Sequence, residues 1–148
     1  MNKEKEKKEP TDKPKQGKKN RASGARFELK VRENMENQGW IMDKWTNNID
    51  LVEGKLVKSK RKYNPFLKIL SIGTGFPDFV CFRLCKEGKN YEIMGVEVKA
   101  NGWLDKSEKE KCKWYLNKKI FSRVLIARKG KKRGEIEYID FKEKYIGE

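Results

Sequence analysis

The chain has 148 residues, 36% of them hydrophobic and 40% charged, which suits one small domain with a single core and not two. Its 37 Lys and Arg against 22 Asp and Glu leave a charge of +15 and a pI near 9.7, the electrostatic footprint of a polyanion binder. The absence of histidine excludes Ser-His and Cys-His nucleophilic catalysis, His-ligated metal sites and an imidazole general base, and no run approaches the roughly 20 apolar residues of a spanning helix.

Met1 to Ala22 is rich in Lys and Glu, contains Pro10, Pro14 and Gly17, and has almost no apolar residue, so a disordered basic tail is expected there. It has no apolar signal-peptide core, which makes a cytoplasmic location the expectation. The tail's cations either track phosphates or simply solubilise the chain. The domain then runs from Ser23 to Glu148. Ser23 offers an N-cap, Phe27, Val31 and Met35 repeat at helical spacing, and Gly39 stops the helix. Trp40 to Thr46 reads as a first strand, and Asp50 to Val57 as a hairpin around Glu53-Gly54. Lys58 to Phe66 follows as a basic loop ending in aromatics. Lys58, Lys60, Arg61 and Lys62 could follow phosphates while Tyr63 stacks on an unpaired base; the competing reading is a solvated loop anchored by Tyr63 and Phe66.

Phe79 to Leu84 and Tyr91 to Ala100 form a central pair of strands, turning at Glu87-Gly88-Lys89-Asn90. Leu104 to Lys119 is a lysine-laden helix with Cys112, Tyr115 and Leu116 on its buried side, and Trp103 and Trp114 are expected to pack. Phe121 to Ala127 is an apolar strand, followed by a basic turn from Arg128 to Arg133 and a strand from Glu135 to Ile139. Cys81, Cys85 and Cys112 cannot complete a zinc site of four cysteines, or of three with a histidine, and read as reduced core thiols, the first two sharing a face if the strand reaches Cys85.

Chemistry concentrates at Pro77-Asp78 and Glu97-Val98-Lys99. Carboxylates on adjacent antiparallel strands can lie side by side, about 4.8 Å apart, a separation suited to one Mg²⁺. Alternation puts Glu97 and Lys99 on one face, presented together, while Met94, Val96 and Val98 pack on the other. Mg²⁺ is usually held by one or two carboxylates with water and substrate phosphate, so Asp78 and Glu97 suffice as its protein ligands. Lys99 would stabilise the attacking hydroxide or the charge that builds on phosphate. Alone, each half is common, as a turn aspartate or as a solvated cross-strand ion pair. Their combination with Gly73-Thr74-Gly75-Phe76, an apolar strand, a tight turn and a second strand is specific.

This arrangement resembles the PD-(D/E)XK nuclease superfamily. Ser23-Gly24-Ala25-Arg26-Phe27-Glu28-Leu29 and Gln38-Gly39-Trp40 are similar to the first helix of archaeal Holliday-junction resolvases, and the stretch from Gly73 to Val80, with the Glu-Val-Lys strand and the helix near Leu104, to small phage and archaeal VRR-NUC nucleases. The similarity covers about Ser23 to Ala127, with the Asn47 to Ser71 insertion departing from the resolvase pattern. It implies an α/β, restriction-endonuclease-like core with a central mixed sheet in the order αβββαβ. It implies hydrolysis of DNA, branched or junction structures included, in repair, recombination or phage and archaeal DNA processing. Asp78, Glu97, Lys99 and Glu28 would be catalytic, with Glu28 joining Asp78 and Glu97 at Mg²⁺, for which Mn²⁺ could substitute. Glu28 also fits an ordinary preference for acids near a helix start. DNA is then the expected partner, a membrane is not, and a homodimer is compatible with the resemblance. The alternative from another class is a noncatalytic basic nucleic-acid-binding protein.

Overall fold

A computed structural model describes residues 13–59, 61–66, 68–72 and 75–146, the side chains of 13–18, 61–64 and 69–72 excepted. Helix α1 (Lys13–Asn37) carries Phe27, Val31 and Met35 at four-residue spacing, and all three are buried. It ends as the sequence predicts. Gly39 takes φ +91°, a left-handed conformation open to glycine, and the Gly39 and Trp40 amides donate back to the carbonyls of Glu36 and Met35.

The start of α1 corrects the expectation. The helix begins at Lys13 rather than Ser23, so 13–22 is helical where a disordered tail is predicted, and 1–12 lies outside the described residues. Pro14 marks that start, because in a first helical turn its missing N–H loses no partner and its φ is already helical. Ser23 and Gly24 sit in the helix interior, where surrounding Lys, Arg, Gln and Ala outweigh a glycine penalty of about 1 kcal/mol.

The strands are β1 (Ile41–Lys44), β2 (Asn47–Asp50), β3 (Lys55–Lys58), β4 (Arg61–Asn64), β5 (Ile69–Ile72), β6 (Phe79–Leu84), β7 (Tyr91–Val98), β8 (Arg123–Lys129) and β9 (Ile136–Asp140). Helix α2 (Lys106–Asn117) connects β7 to β8, and one π-type turn, Lys142–Ile146, follows β9. The main sheet has five strands in the order β1-β6-β7-β8-β9, with β7 and β8 parallel and the other pairs antiparallel. The parallel pair is where α2 crosses over, as a parallel connection requires.

The Asn47 to Ser71 insertion folds as two hairpins, β2–β3 and β4–β5. The second corrects the predicted Lys58 to Phe66 loop. Arg61–Asn64 finds a partner in the apolar stretch Ile69–Ile72, with Pro65 in the intervening turn; the dense cations mask the strand when the segment is read without its partner.

Helix α1 covers one face of the sheet over Phe79, Cys81, Met94, Val96, Leu125 and Ala127, while α2 and the chain end cover the other over Phe121, Val124 and Ile126. Strands β7 and β8 are thus buried on both sides, which explains their continuous apolar runs. Cys112 and Tyr115 are buried on α2, with Leu116 half-buried. Cys81 and Cys112 are buried free thiols; Cys85 lies beyond β6, in the turn, its amide bonded to Asn90. Trp114 packs. Trp103 does not: it is 75% exposed, projecting between buried Gly102 and Leu104, so the expectation that it joins the core fails. Among the described residues no helix is long and apolar enough to cross a membrane.

Candidate active site

Asp78 immediately precedes β6, whose Phe79 pairs with Val96, so the next rung of the ladder sets Asp78 opposite Glu97. The two carboxyl groups hydrogen-bond to each other, and Asp78 Oδ2 also accepts the Val98 amide at 2.8 Å. The aspartate is therefore fixed by the strand that carries its partner. Because Val96 and Val98 face α1, Glu97 points to the α2 side. It is not presented at a surface as the alternation alone suggests; it is 4% exposed, because β7 is covered on both faces.

Burial is the first cause of a pKa for Glu97 pushed up to about 11, followed by the hydrogen bond with Asp78 and that residue's charge; Lys99 opposes them too weakly. Glu97 therefore holds a proton at neutral pH. Lys99 follows on the same strand line, its amide bonded to the Ala127 carbonyl at 2.9 Å and its ammonium to Glu108 Oε2 at 2.6 Å. Burial works against that ammonium, but the Glu108 hydrogen bond and the charges of Glu97, Glu108 and Asp78 hold its pKa above the ordinary value.

Glu108 is the site residue that the sequence reading misses. It is the third residue of α2 and completes a capping box: its amide donates to Asp105 at 2.8 Å while its Oε1 accepts the Asp105 amide at 3.1 Å. One carboxylate oxygen caps the helix and the other grips Lys99. The Asp105-x-x-Glu108 spacing signals a helix start, and only the fold brings that start to Lys99. Asp105 itself is held below the usual carboxylate range by the Glu108 amide.

Glu28 on α1 is half-buried, and its pKa is raised by burial and then by the nearby Asp78 charge, against the pull of Lys44. The fold thus brings Glu28 into electrostatic reach of Asp78, but among the described residues no hydrogen bond or ion pair ties it to the pair.

The approach to Asp78 is rigid. The Phe76-Pro77 peptide is cis. Tyr115 donates its hydroxyl to the Phe76 carbonyl, and Trp45 Nε1–H donates to that hydroxyl at 2.8 Å, linking α2, the end of β1 and the segment entering β6. Phe76 N–H bonds the Asn47 carbonyl at 2.9 Å. Gly75 lies so close to the Trp45 and Asn47 carbonyls that a Cβ would fall 2.2 and 2.7 Å from them, and Gly95 leaves room for Pro77 and Phe121.

The donor set suits a hard cation: two carboxylates on adjacent strands, which is what Mg²⁺ needs from a protein when water and phosphate complete its shell. Among the described residues no three of His, Cys, Asp and Glu converge to hold an ion. The assembled feature is therefore the Asp78–Glu97 pair, with Glu28 and Glu108 as neighbouring charges. Of the residues predicted to bind nucleic acid, Lys58 ends β3 and is exposed, and Arg61, Lys62 and Tyr63 lie on β4. The side chains of these last three, and Lys60 altogether, lie outside the described residues. A groove of about 560 Å³ between Tyr91, Ile93, Leu116 and Ile146 contains none of the site residues.

Comparison with protein-family models, with curated proteins and with solved structures finds no match for the chain.

Proposed function

We propose that this protein is a metal-dependent nuclease of the PD-(D/E)XK kind that hydrolyses DNA phosphodiester bonds. The observation that carries the reading is the hydrogen-bonded Asp78–Glu97 pair with Lys99 beside it, ion-paired and on the same sheet face. A restriction-endonuclease-like core is supported by the element order, since α1, β1, β6, β7, α2 and β8 follow one another as αβββαβ once the two hairpins and β9 are set aside.

Asp78 and Glu97 would hold Mg²⁺, or Mn²⁺ in its place, and Glu97 must give up its proton to do so. Bound there, the ion supplies Lewis acidity to the phosphoryl group under attack. Lys99 contributes a fixed ammonium that donates to developing negative charge, and Glu108 is a positioning residue that aims it. Asp78 is oriented by the Val98 amide and the buried Phe76-Pro77 approach. Glu28 adds negative potential beside Asp78. The net charge of +15 supports a nucleic-acid substrate, and the first-helix resemblance supports branched DNA within repair, recombination or phage and archaeal DNA processing. A homodimer and a cytoplasmic location belong to the same reading.

Incubation of the purified protein with linear duplex, splayed fork and four-way junction DNA tests this. Cleavage is expected with Mg²⁺ or Mn²⁺ and not in EDTA, and Asp78→Ala or Glu97→Ala should abolish it while leaving DNA binding largely intact. Full activity in either variant would sink the site assignment; binding without metal-dependent cleavage of any substrate would favour a noncatalytic DNA-binding protein.

A further inference from the structure

The turn joining β8 to β9 and the facing stretch of α1 enclose a second feature. A groove of about 420 Å³ lies between them, lined by Lys30 from α1, by Lys129 at the end of β8 and by Lys131, Lys132 and Arg133 from the turn. All five cations are exposed, and among the described residues none of them enters an ion pair. The groove's one carboxylate, Glu135, is committed to the turn: it accepts the Lys132 amide at 3.1 Å, and its side chain fills the space where a Cβ on Gly130 would fall 2.5 Å away. Two backbone bonds, from Gly130 to the Glu135 carbonyl at 2.8 Å and from Glu135 to the Lys132 carbonyl at 3.1 Å, close the turn. The cations therefore project from a fixed backbone.

Position ties this groove to the candidate active site. The Lys129 amide donates to the carbonyl of Ala100, one residue beyond Lys99, and Phe27, against which the Lys129 ammonium sits at 5.6 Å from the ring centroid, is the neighbour of Glu28. Both walls thus begin one residue from a group of the site. Unpaired cations in this density repel one another, and an extended polyanion neutralises them together. The lining offers no exposed aromatic ring to stack on a base, so its contacts would be to phosphates and independent of sequence.

We propose that the groove between α1 and the β8–β9 turn receives the phosphate backbone of the DNA strand that leads into the Asp78–Glu97–Lys99 site. This assignment rests on the nuclease reading, but it is tested by binding alone. Affinity for a duplex is measured in EDTA over a series of salt concentrations for the full chain, for Lys131→Gln/Lys132→Gln/Arg133→Gln, for Lys30→Gln, and for Lys86→Gln/Lys89→Gln. The last pair lies in the β6–β7 turn, at the opposite end of the sheet, and is equally exposed.

The triple variant should bind about tenfold more weakly or worse, with a slope of log affinity against log salt lower by about 2–3, since each lost phosphate contact removes roughly 0.9. Lys30→Gln should move both quantities in the same direction by about one contact, and the β6–β7 variant should leave the slope unchanged. An unchanged slope in the triple variant, or an equal loss in the β6–β7 variant, overturns the groove while leaving nuclease activity to stand or fall on the metal-dependence assay. Groove-dependent binding by a protein that never cleaves supports the groove and removes the nuclease reading.

Discussion

A carboxyl group buried on a central strand must keep its proton or find a cation. In the unfolded chain Glu97 loses its proton near pH 4.5, and in the folded protein it keeps it up to about 11. Between those values the folded state binds more protons than the unfolded one, so this group's contribution is intact below about pH 4.5 and is progressively lost as pH rises. Glu97→Gln removes the liability while keeping the shape and a hydrogen-bond donor for Asp78. Its melting temperature at pH 8 should exceed that of wild type by about 2–4 °C, the equivalent of roughly 1 kcal/mol for a domain of this size. Its dependence on pH between 5 and 9 should be flatter, and cleavage should be abolished. A lower melting temperature at pH 8 would refute the protonated burial of Glu97. Lys99 is a separate case. The 2.6 Å contact with Glu108 suits a compact ammonium, so Lys99→Arg should turn over no better than Lys99→Ala. Near-normal turnover by the arginine variant would reduce Lys99 to a surface charge.

Helix α2 is capped by the same side chain that grips Lys99, so on the nuclease reading its stability and the rate of cleavage should be coupled. Asp105→Ala removes the acceptor for the Glu108 amide and should lower the melting temperature. It should also lower the maximal cleavage rate more than DNA affinity, because Glu108 then loses part of its restraint. Asp105→Asn, which preserves an acceptor oxygen, should recover most of both in thermal melts and single-turnover assays. A fully active, destabilised Asp105→Ala would mean that the cap and Lys99 are independent. At this scale much was legible in advance. The four-residue repeat of Phe27, Val31 and Met35 and the left-handed Gly39 define the body and end of α1, and the Glu87 to Asn90 turn defines the β6–β7 pair. Glu108 was not legible as a site residue, since its role depends on α2 starting beside Lys99. Strand β4 was hidden because its pairing residues come after it in the chain, and the exposure of Trp103 because a turn held by Gly102 and Leu104 reverses what its size implies.

Across the whole molecule, the excess of positive charge is unevenly placed. Residues 1–12 carry four lysines against three glutamates and one aspartate, so they are neutral as a group, and the net positive charge of the predicted tail lies from Lys13 onward, within α1. Deleting 1–12 should therefore change the salt slope of DNA binding by less than about 1, whereas a tail that tracked phosphates would lower it by several times that. A large fall in slope on this deletion would show that the segment contacts phosphate despite its balance. The candidate site was legible as residue types and spacing, because Asp78 and Glu97 fall on consecutive strands. Its interior position was not, since it arises from α1 and α2 covering opposite faces of the sheet.

The close approach of Gly75 to the Trp45 and Asn47 carbonyls divides the Asn47 to Ser71 insertion into parts with different freedom to change. At its root, residues 45–47 and 75–76 interlock through backbone atoms, leaving even a methyl group no space. At its tip, residues 52–54 stand in solvent, with Val52 97% exposed, while Leu51 packs back against the core. Length and composition at that turn can therefore drift, or accept a grafted peptide or fluorophore, with Asp78 undisturbed. The first hairpin is in this sense a handle whose outer end can be remade while its attachment stays fixed.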